Sequence, residues 1–339
     1  MSDPLRFPRV LVTGGAGYVG NVLTPRLLAA GHQVTVYDIC YFGSDSLPLD
    51  HPFLTLIEAD IRDTDRFAAT VAGHDAVIHL ACISNDPSFE LDSDLSRSIN
   101  FECFEPMVVA AQAAGVRRFV YASTSSVYGV SDSPDVTEDH PLVPLTLYND
   151  YKGRCEPLLF AHQSPEFTCV AIRPATVCGY SPRCRLDLTV NILTNYAVNK
   201  GKILVFGGDQ LRPNLHIEDM VDVYQLLLAV PEESIAGETF NVGYQNRSVA
   251  DIAGIVKAVV EEELPDRAPI DIEVQESNDP RSYKINSDKI GRVLGFFPQR
   301  TIEMAVRELC RAFRGGLLPD SFDDDRYFNV RTMKNLAAR

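Results

Sequence analysis

The chain has 339 residues, enough for two modest domains, and its 45% hydrophobic and 23% charged residues are those of an ordinary globular protein. A formal net charge of −15 argues against a scaffold for nucleic acid, whose binding draws on clustered Lys and Arg, while leaving room for a small phosphorylated ligand. No apolar run approaches the ~18 residues that a membrane-spanning helix needs, and residues 1–9, with Asp3, Pro4 and Pro8, do not read as a signal peptide, so the expectation is a cytoplasmic protein with no membrane partner.

Short β-branched apolar runs predict strands at 9–13, 33–37, 54–58, 76–81, 118–123 and 168–172. Amphipathic stretches lie between them, among them 19–30 and 94–114, the latter stopped by Gly115. Such alternation means βαβ units and hence an α/β fold, a Rossmann-type doubly wound parallel sheet with helices on both faces. Past Arg173 the rhythm changes. Pro174, Gly179, Pro182, Gly201, Gly207, Gly208 and Pro213 punctuate a looser region holding one helix, at 188–199. A helix at 217–230 and a strand at 238–242 resume the α/β pattern, and two or three helices follow Ser248. The domains then read as residues 1–173 with 212–243 for nucleotide binding. A smaller, discontinuous C-terminal substrate lobe takes 174–211 with 244–339.

The eight cysteines form no CxxC pair and no cluster with His, so they read as reduced core or pocket residues and no metal site is expected. His79, inside the apolar run Val77-Ile78-His79-Leu80, reads as a satisfied core histidine, and His216 has the same character.

The first strand runs directly into Thr13-Gly14-Gly15-Ala16-Gly17-Tyr18-Val19-Gly20, after which a helix begins. Glycines at this spacing allow a tight turn and let backbone N–H groups approach a pyrophosphate at the helix N-terminus. The next strand ends at Asp38, where a carboxylate accepts hydrogen bonds from the adenosine ribose hydroxyls and repels a 2′-phosphate. The cofactor this predicts is NAD rather than NADP.

Tyr148 and Lys152 stand four apart, hence on one face of a helix. A free tyrosine, with a pKa of about 10, is a poor base at neutral pH. A nearby lysine ammonium and a cationic nicotinamide favour the phenolate, which can then take a proton from an alcohol as hydride leaves its carbon. Upstream, a strand ends in Ser123-Thr124-Ser125-Ser126, placing four hydroxyls where parallel sheets bind their ligands.

Together these elements resemble the extended short-chain dehydrogenase/reductase family, specifically its nucleotide-sugar epimerases and dehydratases. The resemblance spans nearly the whole chain, through Asp60-Ile61-Arg62-Asp63, His79-Leu80-Ala81, Asn100, the Thr124 strand end, Tyr148/Lys152, Arg212 and Leu215-His216-Ile217-Glu218-Asp219, to Arg281. It implies that Gly14, Gly17, Tyr18 and Val19 cradle the cofactor and that Asp60 and Ile61 flank its adenine. Leu80 and Ala81 would line it, Thr124 would hydrogen-bond the reacting hydroxyl, Tyr148 would be the base, and Lys152 would hold the nicotinamide ribose. Arg212 and Arg281 would grip the diphosphate of a nucleotide-diphosphate sugar, a task suited to guanidinium forks. Family members commonly form homodimers through helices near 95–114 and 148–162, the second of which Pro157 should kink here.

The chain also departs from the pattern. The 4,6-dehydratases carry an acid just after the catalytic Thr, where this chain has Ser125 and Ser126. Enzymes that epimerise at C3 and C5 use a Cys near this place, and Ser126 stands there. What remains is an epimerase acting through a transient ketone, with a keto-sugar reductase as the alternative. Ser84, Ser125, Ser126 and Thr176 fall on the substrate side, Thr176 replacing a frequent Asn. Cys178 reads first as a buried structural thiol, with a place against the sugar ring as the alternative.

Overall fold

The computed structural model describes residues 5–131, 133, 135–276 and 282–337. The chain opens with β1 (Arg9–Thr13), turns through the glycine loop into α1 (Gly20–Ala29), and continues with β2 (Gln33–Asp38), β3 (Leu54–Glu58), α2 (Thr64–Val71) and β4 (Ala76–His79). Two short helices follow, α3 (Asp86–Phe89) and α4 (Ser93–Arg97), then a π-helical turn (Ser98–Glu102) and α5 (Phe104–Ala113). Next come β5 (Arg118–Ala122), α6 (Leu147–Phe160) and β6 (Thr168–Pro174).

The remainder comprises β7 (Thr176–Cys178), α7 (Thr189–Lys200), β8 (Lys202–Phe206), β9 (Leu211–His216), α8 (Ile217–Ala229), β10 (Glu238–Val242) and β11 (Gln245–Ser248). It ends with α9 (Val249–Glu263), β12 (Asp271–Gln275), α10 (Asp288–Leu294), α11 (Ile302–Arg314) and α12 (Asn329–Ala337).

Seven strands form one parallel sheet in the order β10-β6-β5-β4-β1-β2-β3. Strand periodicity explains its two-sided core. Val10, Val12, Ile78, Val120 and Ile172 pack into one cluster, while Leu11, Val77, Phe119, Tyr121 and Ala171 pack into the other. Each fully buried aliphatic or aromatic side chain here contributes roughly 1.5–3 kcal/mol. The chain crosses from β3 back to β4 beside β1, so the direction of strand progression reverses between β1 and β4. Ligands of such sheets bind outside the carboxyl ends of the strands at that reversal.

Beyond this sheet, β11, β9 and β7 form a three-stranded sheet and β12 pairs with β8. A third core cluster, Val190, Leu193, Ile203, Val256 and Leu309's neighbours Val306 and Cys310 among its members, joins α7, β8, α9 and α11. The pair β8–β12 and a fourth helix after Ser248 were not in the sequence reading. The predicted helix 94–114 is also corrected: it breaks into α4, the π turn and α5. The π turn keeps apolar side chains facing the core, so the periodicity gave no sign of it. It carries Asn100, buried, whose Oδ1 accepts from Ile83 N at 2.8 Å and whose Nδ2 donates to Ile83 O at 2.9 Å. Helix α6 runs as one element through Pro157. Among the described residues no helix is long and apolar enough to cross a membrane.

Candidate active site

The strand ends border a cavity of about 490 Å³. Its floor begins at the glycine loop. Gly14 has φ +72°, and a Cβ there would lie 2.6 Å from Ala81 N, while a Cβ on Gly20 would lie 2.4 Å from Gly15 O. Only glycine lets β1, β4 and α1 approach this closely. The first turn of α1 has no side-chain cap. Asn21 N, Val22 N and Leu23 N donate to Gly17 O and Val19 O, so the glycine-loop amides before them and the helix dipole are what this end offers an anion. Asp38 at the end of β2 accepts from Ala16 N at 2.9 Å and from Cys40 N at 2.8 Å. Burial pushes its carboxyl pKa up, and those two hydrogen bonds with the Arg183 charge oppose the rise. These features fit an NAD-sized dinucleotide: a backbone cradle that a Cβ would fill, an uncapped helix and a carboxylate at the ribose end.

The hydroxyl wall lies at the end of β5. Ser123 Oγ donates to Glu156 Oε1 at 2.6 Å, and Thr124 Oγ1 and Ser126 Oγ stand 2.8 Å apart. Ser126 donates on to Asn149 Oδ1. Ser125 Oγ is buried without a partner among the described residues. Helix α6, capped by Thr146, brings Tyr148 and Lys152 to the same cavity. Lys152 Nζ donates to Ala122 O at 2.7 Å and sits 5.0 Å from the Tyr121 ring centroid. Arg173 pairs with Glu156 through Nε–Oε1 at 3.0 Å and Nη2–Oε2 at 2.6 Å, clamping α6 to β6 in a buried, bidentate pair.

Burial raises the Tyr148 phenol well above 10, Cys82 and Asp86 add to the rise, and Arg185 opposes it. Burial, followed by the Lys152 charge, lowers His79 to about 3. Its Nδ1 lies 2.6 Å from Thr13 Oγ1, so it is a neutral core residue, as its apolar surroundings predicted.

Opposite the sheet, the loop between β7 and α7 forms the other wall. Arg185 Nε donates to Asp187 Oδ1 at 2.9 Å and its Nη1 to Ser84 Oγ at 3.2 Å. Arg183 lies over the Phe42 ring, 3.8 Å from its centroid, and donates to Asn329 Oδ1 at 2.7 Å. Asn329, at the start of α12, also donates to Ser84 Oγ at 2.8 Å and, through its backbone N–H, to Asp187 Oδ2 at 3.1 Å.

The structure brings together Gly14, Gly17, Tyr18, Val19, Asp38, Asp60, Ile61, Leu80, Ala81, Ser84, Thr124, Ser125, Ser126, Tyr148, Lys152, Thr176 and Arg212 around this one cavity. Two expected residues are not placed there. Arg281 lies outside the described residues. Cys178 has run past the cavity along β7 into the core cluster beneath α7, where burial pushes its thiol pKa up; a sugar contact there is withdrawn in favour of the structural thiol. Sequence reasoning missed Arg183, Arg185, Asp187 and Asn329. The first three alternate with Cys184 and Leu186 after Pro182, a charge pattern in an apolar loop that could have been noticed.

Comparison with known proteins gives the family. The sequence profile of the NAD dependent epimerase/dehydratase family matches residues 10–243. The chain belongs to that family. It is therefore an NAD-dependent enzyme of the extended short-chain dehydrogenase/reductase type. The chain is 28% identical over 317 residues to a UDP-glucose 4-epimerase of Azospirillum brasilense, covering 86% of this chain and 88% of that one. Its fold is similar to MoeE5 in complex with UDP-glucuronic acid and NAD, with a TM-score of 0.76 at 26% identity over 91% of this chain and 99% of that chain. It is also similar to DesIV, a dTDP-glucose 4,6-dehydratase from Streptomyces venezuelae with NAD bound, with a TM-score of 0.79 at 26% identity over 91% and 97% of the two chains.

Proposed function

We propose that this enzyme is a nucleotide-sugar epimerase that inverts one ring carbon, C4, through a transient keto-sugar. Both epimerases and dehydratases stand among its relatives, so the choice rests on the site. The observation that carries it is the hydroxyl wall: the two positions after Thr124 are Ser125 and Ser126, with Ser126 engaged by Asn149. Neither side chain is acidic enough to protonate a departing hydroxyl at C6, which dehydration requires.

When bound, NAD supplies the oxidant for the first half-reaction and the reductant for the second. The protein's residues do the rest. Thr124 and Tyr148 hold the sugar hydroxyl from two sides. The charges of Lys152 and of a bound cationic nicotinamide would offset the burial that raises the Tyr148 phenol. As the phenolate, Tyr148 would accept the proton as the ketone forms and return it to the alkoxide of the opposite configuration, so no proton is gained or lost over the cycle. Lys152, tethered to Ala122 O, supplies positive charge beside the reacting end. Arg185 opposes the burial of the Tyr148 phenolate. In the same reading, residues 1–173 with 212–243 bind NAD and the remaining segments bind the sugar nucleotide, Arg212 and Arg281 taking its diphosphate.

The test is a panel of nucleotide sugars incubated with the enzyme and NAD, without reductant, and read by mass spectrometry and NMR. A product of unchanged mass with inverted C4 is expected. A product lighter by one water would overturn the reading of Ser125 and Ser126. Turnover of keto-sugars with NADH alone would assign a reductase instead.

A further inference from the structure

Arg183 belongs to the segment assigned to the substrate, yet its side chain reaches the far end of the cavity. It lies over Phe42, and its charge acts on Asp38. Only 6% of Arg183 is exposed, and its Nε is buried with no hydrogen-bond partner among the described residues. Arg185, 9% exposed, likewise has one buried Nη without a partner among the described residues. The nearby carboxylates are already engaged. Asp187 accepts from Arg185, Asn85 and Asn329 N, and Asp38 accepts from Ala16 N and Cys40 N. Burial first, then the Arg185 charge, lowers the Arg183 pKa to about 9, so both disfavour its charged form and an anion beside it would offset them.

The position of that anion follows from what the arginine loop touches. Tyr18 OH donates to Gly179 O at 2.7 Å, and Ser181 Oγ donates to Tyr18 O at 2.8 Å. Asn191 Nδ2 donates to Tyr18 OH at 3.1 Å. The loop bearing Arg183 is thus tied to the glycine loop, whose uncapped helix N-terminus faces the same cavity. A diphosphate resting on the glycine loop would be bracketed by the two.

We propose that Arg183 binds the diphosphate of NAD from the side opposite the glycine loop, and that Asn329 is the positioning residue that holds its guanidinium there. A diphosphate could also come from the sugar nucleotide, but Asp38 and Phe42 place Arg183 at the adenosine end of the cofactor path. The inference rests on the family's NAD dependence and not on epimerisation, so a failed sugar panel would leave it standing.

Calorimetry on the full chain, freed of bound nucleotide, tests it with ADP-ribose, adenosine and UDP. Arg183→Met, which keeps an unbranched side chain over Phe42, should weaken ADP-ribose on the order of 10- to 100-fold, as expected for a lost charge-assisted hydrogen bond. Adenosine, and UDP titrated with NAD present, should bind as to wild type. Asn329→Ala should weaken ADP-ribose by a smaller factor. Arg183→Lys keeps the charge without the fork and should fall between wild type and Arg183→Met, which keeps the test alive if the Met variant does not fold. Unchanged ADP-ribose affinity, or an equal loss for adenosine, overturns the proposal. A loss confined to UDP would assign Arg183 to the substrate's diphosphate. Tighter wild-type binding of 2′-phospho-ADP-ribose than of ADP-ribose would assign it to a 2′-phosphate.

Discussion

The two walls of the cavity are made of different material. On the sheet side, ligand-facing groups are backbone amides and short side chains at strand ends, fixed by close approach: Gly14 against Ala81, Gly20 against Gly15. On the opposite side they are long arginine side chains on a loop, each aimed by a neighbour, Asp187 for Arg185 and Asn329 for Arg183. A backbone wall is rigid but offers only partial charges. The arginine wall offers full charges, at the entropic cost of fixing long side chains, so it depends on positioning residues, one close in sequence, Asp187, and one far along the chain, Asn329. Shape on one side and charge on the other are therefore separable by mutation.

The largest expected effect sharpens that separation by touching neither wall. Tyr148→Phe should lower kcat by roughly 10²- to 10⁴-fold, the usual contribution of a positioned acid–base group. Bound NAD, quantified after denaturation, should stay at the wild-type level. A variant retaining full activity would break the assigned chemistry.

Glu156→Gln comes next. It leaves Arg173 buried with only neutral hydrogen-bond partners, the new Gln, Tyr128 OH and Glu138 O, and breaking such a pair costs about 3–5 kcal/mol. Chemical denaturation should report the loss, and α6 should loosen from β6. A change below about 1 kcal/mol would mean that the pair is not what holds the helix.

Gly14→Ala attacks the backbone wall. The left-handed conformation alone costs on the order of 1–3 kcal/mol, and the added Cβ, 2.6 Å from Ala81 N, must push β4's end away. Most of the co-purifying NAD should be lost while the sheet remains folded by circular dichroism. Retention of NAD would show the cradle to be more pliant than its contacts indicate.

Arg185→Met has the smallest expected effect on turnover and isolates charge, Asp187 retaining its bonds from Asn85 and Asn329 N. Arg185 lowers the Tyr148 pKa, so its removal favours the neutral phenol. The ascending limb of the kcat–pH profile should move to higher pH, with activity at alkaline pH largely restored. A profile that falls uniformly at all pH values would instead point to substrate positioning.

The same contrast governs what the amino-acid sequence discloses. Gly14, Gly17, Asp38, Tyr148 and Lys152 are legible because each stands at a set distance from the end of a periodic element, and local spacing carries their geometry. Arg183, Arg185 and Asn329 are not legible that way. Apart from the local Arg185–Asp187 pair, their partners are distant, Phe42 and Asn329 for Arg183 and Ser84 for Arg185, and only the folded chain brings these together. Cys178 was open to two readings because it follows Thr176 on the same short strand. Which of the two lines the cavity depends on how far β7 extends before α7 covers it. Element boundaries fared similarly: the central strands are close to their predicted spans, while β8 and β12, which pair only with each other, escaped notice.

The π-helical turn at Ser98–Glu102 has a mechanical consequence of its own. An α-helix rotates the chain by about 100° per residue, and a π turn holds one residue more than that winding allows. Deleting a single residue there would rewind the segment to ordinary pitch. The α4 side chains would then swing around their axis relative to α5, taking the Asn100 amide off Ile83. The turn is in effect a phase shifter, setting the angle at which one helix grips the loop behind Leu80 and Ala81. A deletion of Glu102, exposed in the same turn, should therefore disturb NAD retention although it removes no apolar side chain.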